Sequence, residues 1–281
     1  MHYFSHRSGA LPLGKKTYIM GIVNITPDSF SDGGKYFTPE AAVRHALALL
    51  EDGADILDLG ACTTKPFSEP VSPAEEQRRL LPVMEKLKAL TDIPLSIDTF
   101  YPETVKATLR AGADIINDVS GVFNAETAAL VKEYGAGYIV MHGGVKLAPA
   151  QTDHVYPAGV VNDVQMFFDE ISEKLLAAGI ERSHICLDPG FGFMKDAAQN
   201  AEMLKNLSLL DVNGYPFLIG LSRKRFIGAL TEDPDASDRL GGTLAADVLA
   251  AHDGADIIRT HEVKLHKKAL ALVDALRDGV T

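Results

Sequence analysis

Polar and charged residues in this chain recur at one kind of place, directly behind short apolar runs. Asn24 follows the first run. Thr63, Thr64 and Lys65 follow the second, Asp98 closes the third, and Asn117 and Asp118 lie in the fourth. Met141 and His142 end the fifth, Asp188 the sixth, Ser222, Arg223 and Lys224 the seventh, and Arg259 and His261 the eighth. Asp98, Asn117 and Asp188 bring carboxylate and amide groups from separate runs. That mixture suits a planar heterocycle rich in N–H donors and carbonyl acceptors, such as a guanidine-like aminopyrimidinone edge, because a carboxylate takes two directed N–H bonds from it. Each of the three also fits a structural role, as partner of a buried lysine or backbone N–H. Arg259, His261, Lys65 and Arg223 favour an anion, phosphate or carboxylate, although Lys65 and Arg223 also read as solvated loop charges. Asn24 offers an amide oxygen to a hard cation such as Mg²⁺ held otherwise by phosphates and water, or caps its own turn. His142 and His261 read as orienting groups. Phe193, beside Asp188 in DPGFGF, is placed to flank a planar ligand, with Phe191 as its alternative or as packing.

These residues need a frame that brings strand ends together. Gly53-Ala54-Asp55-Ile56-Leu57, Gly112-Ala113-Asp114-Ile115-Ile116 and Gly254-Ala255-Asp256-Ile257-Ile258 are near copies, with Gly135-Ala136-Gly137-Tyr138-Ile139 a looser fourth. In each, a helical pattern leads into a Gly suited to the left-handed end of a helix, and a β-branched run follows, as in strands buried on both faces. One helix–Gly–strand unit is reused. The spacing predicts strands at 18–25, 55–59, 95–98, 115–119, 138–141, 185–187, 217–220 and 256–259. Helices are predicted at about 39–52, from 73, from 102, from 125, and at 162–178, 198–207, 242–251 and 264–278. Thr38 and Ser72 stand at N-cap positions before prolines. Eight β-then-α units predict an α/β fold, a (β/α)8 TIM barrel in a single domain over residues 18–281, with 1–17 as a lead-in. A GxGxxG turn, the mark of an open dinucleotide-binding sheet, is missing after the first run.

The chain has 281 residues, within reach of one barrel, and a net charge of −11. That charge argues against nucleic-acid or anionic-membrane partners, which need a basic patch. The two cysteines, Cys62 and Cys186, lack zinc-ligand spacing. The first residues lack the apolar core of a signal peptide, and no apolar run reaches the ~20 residues that span a bilayer. A cytoplasmic protein acting on small molecules is expected.

The motifs also carry a family resemblance. The chain resembles the dihydropteroate synthase family through GIVNITPDSFSDGG at 21–34, KPFSEPVSP at 65–73, SIDT at 96–99, GADIINDVSG at 112–121, MH at 141–142, DPGFGF at 188–193, LIGLSRKRFIG at 218–228, GGTLAA at 241–246 and RTH at 259–261. The resemblance spans essentially the full length. It implies a TIM barrel, a homodimer, and the joining of 6-hydroxymethyl-7,8-dihydropterin pyrophosphate to p-aminobenzoate with release of pyrophosphate. It further implies that Asp98, Asn117, Asp188, Lys224 and Met141 hold the pterin, and that Arg259, His261 and Asn24 meet the pyrophosphate, Asn24 with Mg²⁺. Thr64, Lys65, Phe193 and Ser222 are implied for the p-aminobenzoate side, which is also where sulfonamide analogues act. Asp98, Asp188, Lys224 and Arg259 are the implied catalytic set. Three stretches depart from the family: Cys62-Thr63-Thr64-Lys65-Pro66-Phe67 in place of ESTRPG, His142-Gly143-Gly144 in place of HMxG, and Met194 before Lys195 where Gly is usual. Two other readings stand beside this one. A methyltetrahydrofolate–corrinoid methyltransferase shares the Asp/Asn/Asp floor but has no need of the SRK, RTH or TPDSFSDGG elements. A non-catalytic pterin-binding paralogue would account for the changed second loop.

Overall fold

Period-two alternation inside short buried strands decides which side chains enter the barrel. The computed structural model describes residues 2–26, 38–61, 71–143, 154–210, 212 and 214–277. A short antiparallel hairpin, β1 (Tyr3–His6) and β2 (Gly9–Pro12), comes first. The barrel strands follow as β3 (Tyr18–Asn24), β4 (Ile56–Gly60), β5 (Leu95–Asp98), β6 (Ile115–Asp118), β7 (Gly137–Met141), β8 (Ile185–Asp188), β9 (Leu218–Ile219) and β10 (Ile257–Thr260). They form one parallel sheet in the order β8-β7-β6-β5-β4-β3-β10-β9. Between its two ends a single parallel bridge, Leu187 to Phe217, brings the sheet nearly to closure. The predicted seventh strand is thus shorter than its sequence pattern.

The helices are α1 (Pro39–Glu51), α2 (Pro73–Leu90), α3 (Pro102–Arg110), α4 (Ala125–Tyr134), α5 (Val160–Ala177), α6 (Ala197–Lys205), α7 (Arg225–Thr231), α8 (Leu240–His252) and α9 (Val263–Arg277). Ser72 caps α2 by accepting from the Glu75 N–H, whereas Thr38 precedes α1 without a side-chain cap bond. The repeated glycines behave as their pattern implies: φ is +102° at Gly53, +100° at Gly112, +60° at Gly135 and +110° at Gly254. One helix was not expected, α7. Its seven residues are too short for a periodicity signal, and Gly228 lowers its helix propensity. Burial of Phe226 and Ile227 holds it in place instead.

The lead-in is structural. Phe4 of the hairpin is fully buried and shares a cluster with Tyr18, Met20, Ile56, Ile115, Ile139, Cys186, Leu218 and Ile257. These residues are the apolar layer near the N-terminal ends of the strands, and the hairpin closes that end. Two positions further along the same strands, with side chains on the same inner face, come Asp58, Asn117, Met141, Asp188 and Arg259. The polar layer is therefore the next storey of the same barrel, toward the C-terminal ends where barrel chemistry gathers.

Candidate active site

Asp58, Asp98, Asn117 and Arg259 form one connected network. Arg259 donates from Nε to Asp58 Oδ2 at 2.7 Å and from Nη2 to Asp98 Oδ2 at 2.8 Å. Asn117 Nδ2 donates to Asp58 Oδ2 at 3.2 Å, and Ser96 Oγ donates to Asp58 Oδ1 at 2.6 Å. Asn117 Oδ1 is buried without a hydrogen-bond partner among the described residues. An unmet buried acceptor costs roughly 1–3 kcal/mol, so the cavity favours a ligand that brings a donor to it.

Asp188 and Lys224 extend the floor. The Gly190 N–H donates to Asp188 Oδ1 at 2.7 Å and fixes that carboxylate at the end of β8. Gly190 has φ +68°, and a Cβ there would lie 1.8 Å from the His142 carbonyl oxygen, so only glycine fits. At Gly192, φ +75°, a Cβ would lie 2.9 Å from Lys224 Cδ, so the glycine lets the lysine pass. Lys224 Nζ then sits 4.0 Å from the centroid of the Phe193 ring, an attractive cation–π placement. Burial is the main force on the charges. It raises the carboxyls of Asp98 and Asp188 above their usual range, partly offset by Arg259 and Lys224. It lowers the Lys224 ammonium to about 8, with help from Arg259.

On the strand-eight side, His261 Nδ1 lies 2.8 Å from Ser222 Oγ, and Asn24 Nδ2 lies 3.3 Å from His261 Nε2. Asn24 can only donate through that nitrogen, so Nε2 accepts and Nδ1 carries the proton toward Ser222. Burial and the cations Arg259, Arg223 and Lys224 push the His261 ring down to about 3, which keeps it neutral. With Nδ2 turned to His261, Asn24 keeps its Oδ1 as an acceptor. It is a hard neutral oxygen, and no cluster of three or more His, Cys, Asp or Glu residues stands among the described residues to cage an ion. This donor set fits Mg²⁺ carried mainly by diphosphate oxygens and water.

The structure describes most of the residues expected at the site. Asn24, Asp98, Asn117, Met141, Asp188, Phe193, Ser222, Lys224, Arg259 and His261 all lie at or just beyond the C-terminal ends of the strands. Thr64 and Lys65, with Cys62 and Phe67, lie outside the described residues. Phe191 is buried and stacks on Phe226 at 5.9 Å between centroids, so Phe193 is the aromatic at the mouth. Two expected strand-end groups face elsewhere. Asp118 is one position out of phase with Asn117 and accepts from the Tyr138 hydroxyl at 2.7 Å and the Ser120 N–H at 2.8 Å, on the helix side of the sheet. Arg223 is ion-paired with Glu262, which reduces its claim on an anion. Two residues were missed. Asp58 carries a parity signal, an acid inside the apolar run ILDLG in phase with Ile56. Lys195 is buried and donates to His142 Nδ1 at 2.9 Å, the Gly190 carbonyl at 3.1 Å and the Phe193 carbonyl at 3.2 Å. It pins the DPGFGF loop, and only the turn itself supplies those acceptors, so no spacing announces it. Met194 beside it takes φ +50°, a left-handed conformation that the family's usual glycine adopts without strain.

A family model described as pterin binding enzyme matches residues 20–261. The dihydropteroate synthase of Streptococcus pyogenes serotype M3 is 42% identical over 260 residues, covering 92% of this chain and 95% of that protein. The Xanthomonas albilineans dihydropteroate synthase solved with 4-aminobenzoic acid is 42% identical, with a TM-score of 0.87 and 95% of each chain covered. The Yersinia pestis dihydropteroate synthase solved with a sulfonamide drug complex is 36% identical, with a TM-score of 0.88, covering 98% of this chain and 99% of that one.

Proposed function

The chain belongs to the dihydropteroate synthase family of pterin-binding enzymes, and from that premise we propose how its own residues run the family's reaction. The reaction joins 6-hydroxymethyl-7,8-dihydropterin pyrophosphate to p-aminobenzoate, giving 7,8-dihydropteroate and pyrophosphate. The observation that carries the reading is the floor itself: Asp98, Asn117 and Asp188 converge from β5, β6 and β8, with the buried, unmet Asn117 oxygen among them. Asp98, Asn117 and Asp188 take the N–H-rich edge of the pterin, Lys224 its carbonyl and ring-nitrogen side, and Met141 packs against its plane. Arg259, Asn24 and His261 receive the diphosphate.

The C–O bond between the pterin methylene and the diphosphate breaks, and its electron pair leaves with the diphosphate. Positive charge develops on the methylene and spreads into the ring. Asp98 and Asp188 are fixed in place to stabilise that charge, and Arg259 stabilises the departing anion. Asn24, together with the diphosphate, would hold Mg²⁺, which would supply Lewis-acid stabilisation to the leaving oxygens. The p-aminobenzoate nitrogen then forms the C–N bond and releases a proton. A neutral aniline needs positioning more than activation, and Phe193 and Ser222 provide it, with Thr64 and Lys65 completing that side.

The protein acts as a homodimer in the cytoplasm. Leu249 on α8 and Leu272 and Leu276 on α9 are more than half exposed, which supports a second copy against this face. The free, buried thiol of Cys186 suits a reducing compartment. No helix among the described residues is long and apolar enough to cross a membrane. The test is incubation of the protein with pterin pyrophosphate, p-aminobenzoate and Mg²⁺, following pyrophosphate and dihydropteroate together. Equal yields of both, dependent on both substrates, are expected. Tight pterin binding without product would overturn the catalytic reading.

A further inference from the structure

We propose that Asp58 is a positioning residue that sets which way the Asn117 amide faces, so that the floor meets the pterin with an acceptor rather than a donor at this point. The proposal rests on the dihydropteroate synthase reading above. Asp58 lies in β4, fully buried, in the storey below the substrate mouth. Its carboxylate is paired with the Arg259 guanidinium through Oδ2 at 2.7 Å, and the same oxygen takes Asn117 Nδ2 at 3.2 Å. A carboxylate accepts and does not donate. Asn117 must therefore turn its NH₂ toward Asp58, and its oxygen is left facing the cavity, where it has no partner among the described residues. Ser96 Oγ holds the other carboxylate oxygen at 2.6 Å and stops the group from rotating. An amide at position 58 would offer an N–H to Asn117 instead, and Asn117 could then turn over and present its NH₂ to a substrate edge that is itself made of donors. Two facing donors cannot bond, so the pterin would lose a contact and meet an unpaired N–H. The p-aminobenzoate side, built on Phe193 and Ser222, shares no hydrogen bond with this group among the described residues.

The experiment uses Asp58→Asn in the full chain, titrated with 6-hydroxymethyl-7,8-dihydropterin lacking the diphosphate, which isolates the floor from the anion site. The KM for p-aminobenzoate is read in the complete reaction. Pterin Kd should rise at least tenfold while the KM for p-aminobenzoate stays within twofold. The same substitution in an Asn117→Ala background should weaken the pterin by less than threefold further, because the group it acts through is gone. Pterin binding within threefold of the parent in a folded D58N would overturn the proposal, as would an undiminished effect in the Asn117→Ala background. If D58N does not fold, Ser96→Ala frees the carboxylate to rotate. It should give a two- to fivefold loss of pterin affinity that again shrinks without Asn117, and unchanged affinity there counts against the idea. A parent protein that makes no dihydropteroate sinks the functional reading itself. A parent that turns over beside a normal D58N sinks only the role given to Asp58.

Discussion

Lys224 carries the clearest pH signature of any single residue. Burial lowers its ammonium to about 8, with Arg259 adding repulsion while Asp188 and Asp98 hold the charge in place. An unfolded lysine titrates near ~10.4. Between these values the unfolded chain keeps a proton that the folded one has lost, so the Lys224 contribution to stability rises with pH across that window. Pterin binding runs the other way, because the charge that strengthens the Lys224 hydrogen bond to the ligand is lost above about pH 8. Pterin affinity measured from pH 7 to 10 should therefore fall on the alkaline side. Lys224→Arg should flatten that limb whatever its absolute affinity, since arginine keeps its proton throughout. An alkaline limb that persists in Lys224→Arg would assign it to another group. The chemistry of Asp98, Asn117, Asp188 and Arg259 was legible in the sequence because each ends or nearly ends an apolar run. The orientation of Asn117 was not, because it depends on Asp58 across two strands.

The β1–β2 hairpin shows how much an element can matter without touching the chemistry. The sequence marks residues 1–17 only as a lead-in, because the hairpin strands are four residues long and half exposed. In the fold, Phe4 plugs the N-terminal end of the barrel and sits so close to β7 that a Cβ on Gly137 would lie 2.8 Å from its ring. Phe4→Ala should cost roughly 3–5 kcal/mol, the usual penalty for emptying an aromatic site in a core. Urea titration would show it as a lower midpoint at constant slope. The kcat/KM of the folded fraction at 25 °C should stay within twofold, because the cavity opens at the end of the barrel away from the substrates. A matching collapse of kcat/KM would mean that the two ends are coupled. The helix–Gly–strand echo was legible because each copy needs the same left-handed glycine, whereas α7 was hidden by its brevity.

For the whole molecule, one nearly closed sheet implies that occupying the mouth stabilises everything below it. Strands β3, β4 and β6 to β10 all send residues into the apolar storey, and β4, β6, β7, β8 and β10 carry the polar storey directly above it. A ligand bound only by the folded state at a hundredfold excess over its Kd adds about 2.7 kcal/mol, or ~4–5 °C in Tm for a chain of this size. Thermal unfolding should be a single transition that moves by about that amount with saturating pterin. A biphasic melt in which only one phase responds would contradict the one-core description.

The amino-acid sequence by itself determined the repeated β-then-α unit, the barrel, and the polar residue types at the ends of its strands. Those features are local, set by period, by glycines at helix ends, and by charge placed next to buried runs. Only the tertiary structure decided which of those residues face the cavity. Asp118 turns to Tyr138 and Arg223 to Glu262, while Asp58, inside an apolar run, becomes the hub that joins Asn117 to Arg259. A one-residue change of phase along a strand reverses the face on which a side chain lies. The partners that satisfy a buried charge come from strands distant in sequence, and barrel closure alone brings them within a hydrogen bond.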